Sequence, residues 1–71
     1  MDIQTIQNIE IDPAQLTKAR TTKGLSQAEV ARELGFDRRQ ISQFEKGTGL
    51  TLANFTKLAL FYDLPIEFFL K

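Results

Sequence analysis

GLSQAEVARELGFDRRQISQFEKG, residues 24 to 47, contains two short stretches in which apolar residues recur at helical spacing: Val30, Ala31 and Leu34 in the first, Ile41 and Phe44 in the second. Both open with the same capping grammar. Ser26 is followed three residues later by Glu29, and Asp37 by Gln40, the spacing in which a side chain at each end of the first turn can satisfy a free backbone N–H at the other. Gly35 stands between them, where a sharp reversal requires positive φ and glycine adopts it at almost no steric cost. Ala31 is small enough to let the two helices cross closely.

Two helices of about nine residues joined by a three-to-four-residue turn containing glycine make a helix-turn-helix unit, here residues 26–46. Outward on the amino-terminal side, DPAQ supplies Asp12 as a cap, Pro13 at the first helical position and Gln15 at capping-box spacing. A first helix is predicted through Leu16, Ala19 and Arg20 to Lys23, stopped by Gly24. On the other side, Thr51 is predicted to cap a fourth helix that turns Leu52, Phe55, Leu58, Ala59 and Tyr62 inward, and Pro65 starts a short turn in LPIEFFLK. The expected fold is all-α. Residues 12–71 form the domain and residues 1–11 an amino-terminal arm, in which Ile3, Ile6 and Ile9 fit a helix while Ile9 and Ile11 alternate like a strand.

Composition narrows the chemistry. The chain has 71 residues, enough for one domain with a simple core. It contains no histidine and no cysteine, which removes the usual general base, the thiolate nucleophile and the usual zinc ligands. Its carboxylates sit at caps and helix ends with no evident catalytic pair, and no phosphate-loop spacing follows GTG at residues 47–49. No enzyme activity, metal or cofactor is expected. No apolar run approaches the roughly 20 residues needed to span a bilayer, and MDIQTIQNIE has neither the basic start nor the apolar stretch of a signal peptide, so a cytoplasmic location is expected.

Nine basic and nine acidic residues cancel over the whole chain, but not locally. Between Lys18 and Lys46, seven bases oppose four acids and leave +3, balanced by an acidic remainder. On a wheel at about 100° per residue, Arg38, Ser42, Lys46, Arg39 and Gln43 share one arc of the third helix of roughly 140°, opposite Ile41, Phe44 and Asp37. That arc contains no carboxylate. Arginine suits guanine O6 and N7, glutamine suits adenine N6 and N7, and serine and lysine suit phosphates or base edges. At the start of the second helix, Ser26 and Gln27 stand where free N–H groups and positive partial charge favour a phosphate. A polar outer face is also what any amphipathic surface helix shows; the absence of acids on the arc, the arginines at its amino-terminal end and the preceding SQ favour nucleic acid.

Those residues resemble the Cro/repressor-type, or XRE-like, helix-turn-helix domains. The resemblance runs without gaps from LTKARTTKGLSQAEVARELG through ISQFEKG to LPIEFF, about three quarters of the chain. It implies a compact five-helix domain that binds double-stranded operator DNA as a two-fold dimer, with the third helix in the major groove. It places Arg38, Arg39, Ser42 and Gln43 at the base-reading positions and Gln27 at the phosphate-gripping one; beside it, Ser26 at the helix start and Lys46 on the outer arc are expected to contact phosphates from their own positions. It also implies an ion pair between Arg20 and Glu45. Two departures stand out: GTGLT offers no charged side chain to the DNA backbone after the third helix, and Asp37 puts an acid at the groove-facing cap, where it could accept from cytosine N4.

The leading expectation is a repressor acting as a homodimer on a palindromic operator, nucleoid-associated when bound to DNA. The surplus apolar residues Leu60, Phe61, Ile66, Phe68, Phe69 and Leu70 are expected to exceed what the core absorbs and to supply part of the dimer surface, with the arm as a second interface. Three alternatives remain open: an antitoxin that covers a toxin partner and represses its own operon, a protein-interaction module with this fold but without DNA binding, and the detachable head of a longer regulator.

Overall fold

Each helix of the domain begins where a short polar side chain can close its first turn. The computed structural model describes residues 10–71; the proposed arm lies outside the described residues except for Glu10 and Ile11. Four α-helices follow in order: α1 (Pro13–Thr22), α2 (Gln27–Leu34), α3 (Arg38–Glu45) and α4 (Leu52–Tyr62), then a single 3-10 turn (Ile66–Phe69). Among the described residues there is no strand, only one isolated antiparallel bridge between Ile11 and Leu70. The fold is all-helical, and the place expected for a fifth helix is taken by the 3-10 turn.

The capping box of α2 forms in both directions. The Ser26 hydroxyl oxygen accepts the Glu29 N–H at 3.1 Å, and the Glu29 carboxylate accepts the Ser26 N–H at 2.9 Å. At α3 the reciprocal contact is made by Gln40, whose side-chain carbonyl accepts the Asp37 N–H at 2.9 Å. Thr51 caps α4 by accepting from Asn54. The box expected at α1 does not form: Asp12 accepts from Ala14, but Gln15 turns its amide to the Phe68 carbonyl at 2.9 Å. The Asp12 N–H is already taken by the Phe69 carbonyl at 2.7 Å, so Gln15 finds its partner in the 3-10 turn. With Lys71 N–H donating to the Glu10 carbonyl, these bonds tie the two ends of the described chain together.

Gly35 ends α2 at φ 76°, and a Cβ there would meet nothing within 4 Å. The requirement for glycine is therefore conformational, not spatial. The reversal lets α3 pack chiefly on α2 and next on α1.

Leu16 and Ala19 from α1, Val30 and Ala31 from α2, Ile41 and Phe44 from α3, and Phe55, Leu58, Ala59 and Tyr62 from α4 form one buried cluster with Phe69. One expectation about apolar residues fails, and another is narrowed. Leu52 is 77% exposed: it occupies the first position of α4, where the backward tilt of Cβ carries the side chain past the helix end and away from the Phe55–Leu58–Tyr62 stripe. Phe69 is wholly buried, packed edge-to-face against Phe55 at 5.5 Å, so it belongs to the core. Phe61 and Phe68 pack against that core as well, leaving Leu60 and Ile66 as the exposed members of the surplus set.

Candidate nucleic-acid interface

The two apolar side chains of α3, Ile41 and Phe44, are held in the core, and Phe44 also meets the Phe36 ring edge-to-face at 5.3 Å. This seating fixes which way the other face points. Arg38, Arg39, Gln43 and Lys46 are exposed and Ser42 is half-buried, so the five residues expected on one arc do share the outer side of the helix. Ser26 is exposed and Gln27 half-buried at the start of α2. Since the Ser26 N–H is spent on Glu29, only the hydroxyl proton of Ser26 remains to offer an anion.

Glu45 is the one acid within α3, and its carboxylate is turned inward. Its side chain is 7% exposed and forms a two-pronged contact with Arg20: Nε to Oε2 at 2.7 Å and Nη2 to Oε1 at 3.1 Å. Arg20 spends Nη1 on the Leu25 carbonyl at 2.9 Å, which fastens α1 to the loop before α2. Glu45 Oε1 also accepts from Thr17 Oγ1 at 3.0 Å and from Gln27 Nε2 at 3.1 Å. Gln27 Oε1 in turn faces Arg38 Nη1 at 3.5 Å.

Burial pushes the Glu45 carboxyl up, but hydrogen bonds from Arg20, Gln27 and Thr17 together with the Arg20 charge outweigh it and hold the group below its ordinary value. The same hydrogen bond raises Arg20. Tyr62 is pushed up to about 12, by burial first and by the Glu45 charge second. The acid is thus ionised, paired and shielded at neutral pH, and the outer face of α3 keeps its positive character. Glu29, held low by its bonds with Ser26, is a charged group at the start of α2.

Local sequence signals placed the exposed arc, and the Arg20–Glu45 contact lies where the resemblance implied. Thr17 and the Gln27–Glu45 bond were not foreseen. Thr17 and Gln27 lie 28 and 18 residues from Glu45, and no local pattern connects them. Among the described residues, no group of acidic side chains could hold a metal ion, and no helix is long and apolar enough to cross a membrane.

With this geometry in place, comparison with known proteins gives the class. The Helix-turn-helix family model matches residues 16–69, which spans the first-helix core through Phe69. The chain belongs to the helix-turn-helix family, whose domains bind DNA. It is also 40% identical over 58 residues to a protein of Methanocella arvoryzae that carries the provisional name HTH-type transcriptional regulatory protein. The match covers 82% of this chain but 18% of that relative, so the similarity concerns one domain of a much longer protein.

Proposed function

We propose that this domain is a sequence-specific transcriptional regulator, a repressor that binds a palindromic operator as a homodimer with α3 in the major groove. One observation carries the reading: Arg38, Arg39 and Gln43 are exposed on α3 and Lys46 at its C-cap, while Glu45 is drawn inward by Arg20, so the reading face is free of exposed carboxylate beyond its cap. Arg38, Arg39, Ser42 and Gln43 take the base edges; Gln27, Ser26 and Lys46 take phosphates. The family match and the regulatory name of the Methanocella relative support DNA binding and regulation.

The dimer follows from affinity. A domain with so few phosphate and base contacts binds weakly alone, whereas two copies one helical turn apart on DNA combine their contacts. The exposed Leu60 and Ile66 are apolar side chains available to a second copy.

Selection from random duplexes, repeated at several salt concentrations, tests the proposal. The expected product is an inverted repeat with guanine in each half-site and a shallow salt slope, since each neutralised phosphate contributes about 0.9 to it. Arg39→Ala should lose about 1 to 3 kcal/mol of discrimination at one base pair per half-site. No enrichment over background would sink the regulator and leave a protein-interaction module with this fold.

A further inference from the structure

We propose that Glu45 is a positioning residue for base reading: its carboxylate orients the Gln27 amide, and the amide oxygen so placed holds the Arg38 guanidinium. The inference rests on the DNA-binding reading above and adds to it a chain of four side chains running from the domain interior to the groove-facing surface.

Donor and acceptor identity fixes which way the Gln27 amide faces. An ionised carboxylate only accepts hydrogen bonds, whereas a glutamine side chain has a donor end and an acceptor end of nearly equal shape. Glu45 is kept ionised by Arg20, whose Nε lies 2.7 Å from Oε2. Gln27, 3.1 Å from Oε1, must therefore present its NH2 group to Glu45. Its carbonyl then faces the other way, and there Arg38 Nη1 lies 3.5 Å from it. With the amide reversed, the NH2 would face a guanidinium that has no acceptor, and the two would separate.

The contact to Arg38 is long enough to be a tether and leaves most of the five guanidinium N–H donors for a base. Holding this flexible cation near its reading position reduces the rotamer freedom lost on binding and narrows the base edges it can reach. Arg39 carries no such bond to Gln27 or Glu45 among the described contacts, so the two adjacent arginines are positioned differently. The ion pair that looks purely structural then has a second role in discrimination.

Binding of labelled duplexes by fluorescence anisotropy, using the selected site and its single base-pair variants, separates this role from general stability. Arg38→Ala first identifies the base pair that Arg38 reads. Gln27→Met keeps the side-chain length and leaves the Arg20–Glu45 pair intact. It should lower discrimination at that base pair about tenfold, within the range one good side-chain contact supplies, and leave the Arg39-dependent pair unchanged. In the Arg38→Ala background, Gln27→Met should remove no further discrimination. Glu45→Gln, measured below its own unfolding transition, should repeat the loss, whereas Thr17→Val should lower stability alone.

Undiminished discrimination in both Gln27→Met and folded Glu45→Gln would overturn the proposal. So would equal losses at the Arg38 and Arg39 base pairs, or the same loss in Thr17→Val, because discrimination would then merely follow stability. If the wild-type domain selects no sequence at all, the DNA-binding reading fails and takes this inference with it, a result distinct from selection that the variants leave intact.

Discussion

Phe69→Ala should destabilise the domain by about 4 kcal/mol, the usual scale for emptying a fully buried phenyl site. Domains of this size have little to spare, since typical stabilities begin near 5 kcal/mol. Phe69 has no exposed surface and meets Phe55 and Phe68 edge-to-face at 5.5 and 5.1 Å. Its backbone carbonyl also accepts the Asp12 N–H at the start of α1, so the cavity would open beside the contact that closes the chain ends. At roughly 4–8 °C per kcal/mol for a domain of this length, the melting midpoint should fall by about 15 to 30 °C. Ile66→Ala, at a half-exposed site three residues earlier, should change it little. Thermal unfolding followed by circular dichroism decides the matter: a Phe69→Ala midpoint within a few degrees of wild type would mean that the 3-10 turn lies outside the cooperative unit.

The same residue shows where sequence reasoning stops. The Ser26–Glu29 box, the left-handed Gly35 and the Ile41–Phe44 stripe were legible because each depends on residues within one or two turns of each other. After Asp63, itself left-handed at φ 55°, periodicity ends. Which of Leu60, Phe61, Ile66, Phe68 and Phe69 is buried then depends on where the turn meets α1 and α4. Gln15 followed the same logic: its spacing matched a capping box, but the Phe68 carbonyl, 53 residues away, lay within reach. The outer arc of α3 was legible for the opposite reason, since one helix fixes it once two apolar residues are seated. What periodicity could not supply was the inward turn of Glu45, which needs α1 and α2 in place; only the family resemblance pointed to Arg20 as its partner.

Arg20→Met should cost about 3 kcal/mol at neutral pH, because it leaves a well-shielded carboxylate without its charge partner. Both side chains are largely covered, at 14% and 7% exposure, so solvent screens the pair weakly. The pH dependence identifies the cause. Glu45 in the folded wild type titrates below its ordinary value of 4.5, so its contribution is present above that value and is lost as pH falls through the lower folded value. In Arg20→Met, burial is opposed only by Thr17 and Gln27, and the folded carboxyl should titrate higher than in wild type. The stability difference between the two proteins should therefore be largest at neutral pH and shrink as pH falls below 4.5, first as the uncompensated carboxyl of Arg20→Met is protonated and then as the paired one of the wild type is. Urea unfolding midpoints measured across this range check the sign. A difference independent of pH would mean that Arg20 acts through packing and its bond to the Leu25 carbonyl. A difference that shrinks with acid would make the buried charge of Glu45 the dominant cost, and would tie the stability of the domain to the same ionised carboxylate that directs Gln27.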